Sequence, residues 1–302
     1  MKTMNLNVAT ANVMNGYVEA KKFFYKTHKR YPNNGELNTF IKNNNEKSIS
    51  RVLSLSPLIF SLTALNRSKI KELEELLKDS YKVFKPCCFI DENSSCSDDQ
   101  ISTCIFVKKV QVVDSGKTLD EYFEPIKSNI FERVFPHKKD KTKFCNAREC
   151  RIQSEELNLE IASFYVKSGI GQLNAKARES LYRVIDYMKT SLNNKSRKSI
   201  ILTDLNCIVP DFTSSKSLEE YQKKFPQTWN AFNTELKELY EIINAFDSYV
   251  ETEQIPIATH RDYKIDFILS NIEDTLSSKT IDNNFSDHKI VCAEYLLKAF
   301  EE

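Results

Sequence analysis

The sequence predicts a mixed α/β domain, and three features of the chain indicate this fold class. Short apolar runs with strand character alternate with longer segments in which apolar residues recur at helical spacing. No Pro-, Gly- or Ser-rich linker divides the chain, and its 302 residues are enough to bury a sizeable core. We therefore expect residues 1–302 to form one domain.

The first strand is predicted to end at Asn12, because Leu6, Val8 and Thr10 alternate with other residues ahead of the Asn15-Gly16 turn. The segment that follows is predicted to contain one helix or two within 17–56. Further strands are predicted at 58–62, 82–90, 103–113, 159–165, 199–204, 264–270 and 288–295. Further helices are predicted at about 70–77, 175–192, 217–224 and 228–243. Residues 91–100 are predicted as a hairpin loop and 115–152 as irregular, charged chain.

The charge composition gives no global signature of a protein that binds nucleic acid or membranes. Lys and Arg number 43 and Asp and Glu number 42, so any basic surface must be local. One local basic cluster lies at 137–143, and such a cluster is either a solvated loop or a contact for nucleic acid. Its candidate substrate-binding residues are Lys138, Lys139, Lys141 and Lys143.

The eight cysteines lack the C-x-x-C spacing of a structural zinc site, and two of them fall inside predicted buried strands. The N-terminus leads directly into a strand pattern without an apolar leader, and no apolar run approaches about 18 residues. We therefore expect a soluble, intracellular protein, cytoplasmic or nuclear, with reduced thiols and no membrane partner.

Several predicted strands carry a polar side chain at the limit of the apolar run. An α/β scaffold presents groups in this way to a cleft at the edge of its sheet. Each group also has a structural alternative. Asp204 and Asn206 could form an Asx cap, His288 could be a structural residue, Asn12 a turn residue, and Tyr165 a core tyrosine with its hydroxyl at the rim.

Four of these stretches resemble, in order, the motifs of the magnesium-dependent endonuclease/exonuclease/phosphatase superfamily. Thr10-Ala11-Asn12-Val13 resembles T/S-W-N-V, Thr203-Asp204-Leu205-Asn206 resembles G-D-x-N, Lys264-Ile265-Asp266-Phe267-Ile268 resembles R-I-D-Y-I, and Ser286-Asp287-His288 matches S-D-H. Each motif is weak alone, and the order of the four is what carries the resemblance. It implies a four-layer α/β sandwich, in which two mixed sheets pack face to face with helices on both outer faces.

The resemblance also implies a role for each residue in phosphodiester hydrolysis. His288, oriented by Asp266, would be the general base or a phosphate contact, and Asp204 would orient or deprotonate the attacking water. Asn206 and Asn12 would hold the phosphate. Asp287 and Asn12 would help to bind Mg²⁺, for which Mn²⁺ could substitute.

Tyr165 indicates which branch of the superfamily the chain resembles. It lies in the stretch Ser163–Gly169, which is similar to a strand end of exonuclease III, apurinic endonucleases and retrotransposon endonucleases. This likeness favours a nuclease acting on DNA or RNA. Lys22, Lys26, Lys29 and Arg30, together with the 137–143 cluster, could line a groove for a polyanionic polymer.

One position departs from the family pattern in a way that bears on activity. The second motif, L-Q-E, supplies the main magnesium-binding Glu, and the matching stretch Phe60–Asn66 has Ala64 at that position. Either the carboxylate was lost naturally, or a Glu→Ala change was introduced. Since the other motif positions are retained, we favour the introduced change and expect a nuclease inactivated at Ala64. The alternatives are a phosphomonoesterase for an inositol phosphate or lipid headgroup, and a non-catalytic module that binds nucleic acid.

Overall fold

The computed structural model describes residues 2–13, 17–90, 101–113, 115–128, 130, 148–166, 175–248, 264–286 and 288–299. Their strands are β1 Lys2–Asn12, β2 Ile59–Leu65, β3 Tyr81–Phe84, β4 Ser102–Lys108, β5 Glu124–Pro125, β6 Glu149–Ser154, β7 Leu159–Tyr165, β8 Lys198–Asp204, β9 Asp266–Ser270, β10 Thr275–Ile281 and β11 Ile290–Ala299. Their helices are α1 Tyr17–His28, α2 Asn34–Ser54, α3 Arg67–Leu77, α4 Cys87–Ile90, α5 Ala175–Leu192, α6 Ser215–Lys224 and α7 Pro226–Phe246, with a 3₁₀ turn at Leu119–Tyr122.

The strands form two mixed sheets. The first has six strands in the order β10-β11-β1-β2-β4-β3, and the second has five in the order β5-β6-β7-β8-β9. Each sheet contains one parallel pair, β1 with β2 and β7 with β8, and its other pairs are antiparallel. A parallel pair needs a long crossover, which α1 and α2 supply in the first sheet and α5 in the second.

The hydrophobic core lies in three layers around the sheets. Alternate residues of β1, β4, β7, β8 and β11 pack between the two sheets. The outer face of the first sheet is covered by α2 and α3, and the outer face of the second by α5 and α7. The architecture is therefore a four-layer α/β sandwich, which confirms the fold class expected from the sequence. Among the described residues, no helix is long and apolar enough to cross a bilayer.

Helix α3 shows how local sequence produces these elements. The Asn66 side chain accepts a hydrogen bond from the Lys69 backbone N–H at 2.8 Å and so caps the first turn. Ile70, Leu73 and Leu77 recur at helical spacing, and all three are buried against the first sheet.

The structure corrects four predicted elements. The strand predicted at 82–90 ends at Phe84, because Pro86 interrupts it, and 87–90 is helical. The strand predicted at 103–113 ends at Lys108. Strand β6 lies in a stretch predicted to be irregular, since Arg151 and Gln153 alternate with the buried Cys150 and Ile152 and make the stretch look charged. Strand β10 was not predicted, because it is a partly exposed edge strand without a clear apolar alternation.

Candidate functional site

The side chains that lie between the two sheets change from apolar to polar towards one edge of the sandwich. In β1, Val8 belongs to the core between the sheets, and Thr10 and Asn12 follow it on the same face. In β8, Leu202 of the same core is followed by Asp204. Both strands run towards the same edge, so their last polar side chains meet there.

A layer of buried hydroxyls separates the apolar core from this edge. The hydroxyls of Thr10 and Ser61 lie 2.9 Å apart within the first sheet. The hydroxyls of Thr103 in β4 and Ser163 in β7 are hydrogen-bonded to each other across the two sheets. We call these four residues the hydroxyl layer. It satisfies its own polar groups and forms the floor of the site.

Four buried side chains form a hydrogen-bonded network above the hydroxyl layer. The Asn12 Nδ2 donates to Asp204 Oδ2 at 2.8 Å and lies 3.4 Å from His288 Nε2. The His288 Nδ1 lies 2.9 Å from Asp266 Oδ2. We call Asn12, Asp204, Asp266 and His288 the site network; all four side chains are buried. Residues separated by up to 276 positions thus meet at one place.

Strand register and one serine position the members of this network. Asp266 lies opposite Asp204 in the antiparallel pair β9 and β8, which brings the two carboxylates together. Ser286 donates from its hydroxyl to the Asn12 carbonyl oxygen at 2.9 Å, and it accepts from the His288 backbone N–H at 3.1 Å. The loop before β11 is therefore tied to the end of β1, and the imidazole is held over the edge.

Asp204 is an acid whose protonation is altered by its surroundings. Burial, and after it the neighbouring Asp266 carboxylate, raise the pKa of Asp204 to about 7, against the opposing effects of His288 and the Asn12 amide. A carboxyl group that titrates near neutral pH can take a proton from water and release it again. The arrangement therefore suits general acid–base chemistry.

Asn206 supports Asp204 through its backbone. Its N–H donates to Asp204 Oδ1 at 2.9 Å, and its side-chain Nδ2 donates to the carbonyl oxygen of Val166 at 2.9 Å. Asn206 has φ of +46°, a left-handed conformation that asparagine tolerates better than most residues. The predicted phosphate contact through Asn206 stays a prediction, and the structure shows one amide hydrogen of Asn206 already bound to the backbone.

Tyr165 lies beside the site network together with an arginine that the sequence analysis missed. Tyr165 pairs in register with Asp204, and burial and the Asp204 charge raise the pKa of its phenol. The guanidinium carbon of Arg148 lies 5.5 Å from the centre of the Tyr165 ring. Burial lowers the pKa of Arg148, so a cation is held in a place where its hydration is reduced. The sequence analysis does not identify Arg148 because it directly precedes β6, a strand that the sequence does not predict.

Ala64 occupies a distorted position at the end of β2. It is 4% exposed and has φ of +64°, and the pairing of β2 with β4 shifts register between Thr63 and Leu65. Leu62 and Leu65 both pack on the outer face of the first sheet. The two residues between them, Thr63 and Ala64, form the bulge and lie away from that face. A left-handed alanine is strained, and strain of this kind concentrates at functional sites.

The Thr63 hydroxyl has no hydrogen-bond partner among the described residues, although it is fully buried. Thr63 lies opposite Asn12 in the β1–β2 register, beside the site network. A buried hydroxyl without a partner costs about 1–3 kcal/mol, so it commonly marks a place for water, an ion or a missing group. Thr63 directly precedes Ala64 in the chain.

The chemistry of the site fits a divalent cation. Asp204, Asp266 and His288 each have a potential ligand atom, and these atoms lie within 4.8 Å of one another. Two adjacent buried carboxylates repel each other, and a cation beside them would relieve that repulsion. Magnesium prefers oxygen ligands, which Asp204 and Asn12 offer and which Ala64 does not.

Some predicted residues cannot be placed. Asp287 lies outside the described residues, as do Lys138, Lys139, Lys141 and Lys143. Lys26, Lys29 and Arg30 are exposed at the end of α1 and in the turn after it, and the described part of Lys22 is its helical backbone.

No family model and no curated protein matches the chain, whereas solved structures do. ANGEL2, a 2′,3′-cyclic phosphatase, has a TM-score of 0.55 and 11% identity over 98% of this chain and 96% of that one. The 3′ phosphatase NExo from Neisseria, bound to a product DNA hairpin, has a TM-score of 0.55 and 13% identity over 96% and 99%. An AP endonuclease from Archaeoglobus fulgidus has a TM-score of 0.50 and 14% identity over 96% and 99%.

These similarities extend over nearly the whole length of each pair of chains, and at such low identity they concern the fold. They agree with the fold that the four sequence motifs imply. The protein described here has the fold of the endonuclease/exonuclease/phosphatase superfamily.

Proposed function

We propose that this chain is the scaffold of a divalent-metal-dependent phosphodiesterase acting on DNA or RNA, whose activity is suppressed by Ala64. The observation that carries the proposal is the site network. Two carboxylates, an imidazole and an amide, drawn from both sheets, are buried and hydrogen-bonded at one sheet edge. A structural role alone does not require two adjacent buried acids, because burying charge is costly.

Each member of the network would have a distinct task. Asp204 would accept a proton from the water that attacks phosphorus, as its pKa of about 7 allows. Asp266 holds the His288 ring through Nδ1, so that Nε2 points towards Asn12 and the substrate side of the network. His288 Nε2 and the Asn12 amide would then contact oxygens of the phosphate.

Asn12, Asp287 and a carboxylate at position 64 would hold the cation. When bound, a divalent cation would neutralise charge on the phosphate and polarise its P–O bonds. Asp204 and Asn12 would fix the phosphate and the attacking water relative to each other in this arrangement. The Mg²⁺ and Mn²⁺ assignment rests on the oxygen donors of the site.

Arg148 and Tyr165 would stabilise negative charge that develops on the phosphate. The guanidinium lies against the Tyr165 ring, and the ring lies beside Asp204. A partly desolvated arginine interacts more strongly with an anion than one in bulk water. This pair would therefore bind the non-bridging oxygens or the neighbouring phosphate of a chain.

The compared structures support nucleic acid as the substrate class. One is an AP endonuclease and another was solved with a product DNA hairpin. Two of the three are phosphatases by name, which makes a terminal phosphate of a nucleic acid the second candidate substrate. Inositol phosphates and lipid headgroups remain a third.

The local structure around Ala64 supports loss of a single carboxylate. The bulge, the positive φ and the Thr63 hydroxyl without a partner all remain, while the residue between them offers no ligand. We favour an introduced Glu→Ala change for this reason. The alternative is a natural non-catalytic module that binds nucleic acid.

The test is a panel of labelled DNA, RNA and phosphomonoesters with magnesium or manganese. It compares this chain with the Ala64→Glu variant and with Ala64→Gln, which has a similar size and no charge. We expect hydrolysis by Ala64→Glu alone. If Ala64→Glu is inert on every substrate with both metals, the phosphodiesterase proposal is wrong and the binding-module alternative takes its place.

A further inference from the structure

The crossover between β1 and β2 extends beyond the edge that carries the site. Helix α2 runs antiparallel to β1. Asn45, in the middle of the helix, lies near the end of β1, and the segment after the helix lies beside the middle of β1. The Asn45 amide, oriented so that its nitrogen donates, lies 2.7 Å from the Val13 carbonyl oxygen. The Leu58 N–H donates to the Asn7 carbonyl oxygen at 3.1 Å.

The part of α2 that precedes Asn45 therefore projects past the site edge. At 1.5 Å per residue, the start of the helix at Asn34 lies about 16 Å further along the helix axis. Helix α1 returns alongside it and packs mainly against it. We call residues 17–44 the arm.

The arm has a small core of its own. Phe24 of α1 and Phe40 of α2 meet edge to face with ring centres 5.1 Å apart, and Leu37 is fully buried. The Arg30 guanidinium donates two hydrogen bonds, at 2.6 and 2.9 Å, to the Glu36 carboxylate. Glu36 also completes a capping box with Asn33. The tip of the arm is therefore a defined surface.

That surface exposes a pair of aromatic rings. Tyr25 is 44% exposed and Tyr31 is 72% exposed, and their rings stack with centres 4.8 Å apart and planes inclined by 27°. Lys26 and Lys29 are exposed beside them. Together the two rings form a contiguous exposed aromatic surface, and contiguous apolar surface can mark a site of interaction.

The arm also concentrates positive charge. Residues 17–44 contain six Lys or Arg and two Glu, while the whole chain has 43 basic and 42 acidic residues. The chain outside this segment is therefore slightly acidic. Charge and aromatic rings occur together in one segment, as they do in surfaces that bind single-stranded nucleic acid.

A groove beside the arm extends to Leu65, the residue after Ala64. A cleft of about 290 Å³ lies between α2 and the start of α3, and Leu65, directly after Ala64, contributes to its wall. Its polar walls include Asn38, Lys42, Asn66 and Lys69. A strand that leaves the site network past β2 would enter this groove and reach the arm.

We propose that the arm binds single-stranded nucleic acid, with the rings of Tyr25 and Tyr31 stacking on bases and Lys26 and Lys29 contacting phosphates. The strand would be the one whose phosphate lies in the site network, so the inference rests on the proposed function for its orientation. Binding to the arm itself does not require hydrolysis. At a rise of 3.4 Å, the 16 Å between the site edge and the tip corresponds to about five nucleotides.

The experiment measures fluorescence anisotropy of labelled dT15, rU15 and a 15-base-pair duplex with this chain. The test variant carries Tyr25→Ala and Tyr31→Ala. The matched control carries Tyr182→Ala, which removes a 59% exposed tyrosine from α5. A second test variant carries both Lys26→Glu and Lys29→Glu. Its control carries Lys216→Glu, at an exposed lysine of α6.

We expect the test variant to bind dT15 or rU15 at least about tenfold more weakly than the parent. The Tyr182→Ala control should match the parent. The second test variant should weaken 15-mer binding and lower its dependence on salt. The proposal would be overturned if the test variant and the parent bound the 15-mers with equal affinity. It would also be overturned if the test variant lost affinity only for the duplex, or if the parent bound none of the oligomers.

The failure of this inference can be separated from failure of the proposed function. If Ala64→Glu cuts nucleic acid while the arm variants bind 15-mers normally, the arm proposal is wrong and the function stands. If the arm variants lose 15-mer binding while Ala64→Glu is inert on all substrates, the arm proposal stands and the hydrolase proposal is wrong.

Discussion

The two parallel strand pairs of the molecule have the same topology and differ in what their strand ends carry. In the second sheet, β7 and β8 end in Tyr165 and Asp204, which lie in register. In the first sheet, Asn12 lies in register with Thr63, and the next residue is Ala64. Their crossovers also differ, because α5 packs on its sheet while α1 and the part of α2 before Asn45 extend past theirs.

This difference shows that backbone geometry and site chemistry can be separated. The β7–β8 pair ends in two polar side chains that lie in register. The β1–β2 pair ends in a bulge with a positive φ at Ala64, whose methyl group offers no polar atom. The fold alone therefore does not determine activity, and the contrast can be tested by substitution in either pair.

The largest effect is expected at Asp204, which ends β8, and at His288, which lies against Asn12 of the first sheet. In an Ala64→Glu background, Asp204→Asn and His288→Ala should each lower kcat by roughly 10²–10⁴-fold, because each removes a proton-transfer or phosphate-binding group. Initial rates on a labelled oligonucleotide give the measurement, and circular dichroism checks the fold. Rates equal to those of the Ala64→Glu background would show that neither residue takes part in catalysis. The difference between the two strand pairs would then have no bearing on activity.

The next prediction concerns the free energy of unfolding and its dependence on pH. Because burial raises the pKa of Asp204 to about 7 from about 3.9 in an unfolded chain, its ionised form disfavours the folded state. The stability that this group contributes is present below about pH 4 and is lost as the pH rises towards 7.

Asp204→Asn should therefore stabilise the chain at pH 8 by on the order of 1–4 kcal/mol and change little at pH 4. Urea denaturation at both pH values provides the test. Asp186→Asn, an exposed acid on α5, serves as the control and should have little effect at either pH. A variant that is destabilised more at pH 8 than at pH 4 would contradict the sign of the shift.

A smaller effect is expected at the arginine beside Tyr165. In the Ala64→Glu background, Arg148→Met should raise KM by roughly 10–100-fold, since a hydrogen bond to a charged group contributes about 1.5–3 kcal/mol. Steady-state kinetics separate KM from kcat, and Arg51→Gln on the surface of α2 is the control. An unchanged KM together with an unchanged kcat would show that Arg148 does not contact substrate.

The smallest expected effect is on metal binding without substrate. Ala64→Glu should melt at a higher temperature in 10 mM magnesium than without it, by a few degrees at most, because a ligand that binds only the folded state stabilises it. The parent and Ala64→Gln should show no such difference. A magnesium-dependent shift of equal size in all three proteins would mean that position 64 does not bind the cation.

Much of the fold and of the site network could be predicted from the sequence. Strand ends with Asn12, Asp204 and His288 were visible because each interrupts or borders an apolar run. Their meeting point followed from the order of the motifs and needed no distances. The structure adds the hydrogen bonds that join them.

Other parts could not be predicted because their signal is tertiary. Arg148 precedes a strand whose charged residues alternate with buried ones, and its proximity to Tyr165 depends on strand pairing. The direction of the arm depends on where Asn45 meets the end of β1. Neither contact has a local sequence pattern. The bulge at Ala64 is likewise a property of the pairing between two strands that are distant in the chain.

The hydrogen bond between Thr103 and Ser163 has a consequence for how precisely the two sheets are aligned. Aliphatic side chains resist separation of packed layers but give little resistance to sliding, because their attraction is not directional. A hydrogen bond between two hydroxyls has a preferred length and direction, so it resists sliding of β4 past β7. Asn12 and His288 belong to one layer and Asp204 to the other, and a displacement of about 1 Å is enough to impair catalysis. Two small side chains that lie outside the site network thus help to align it from beneath.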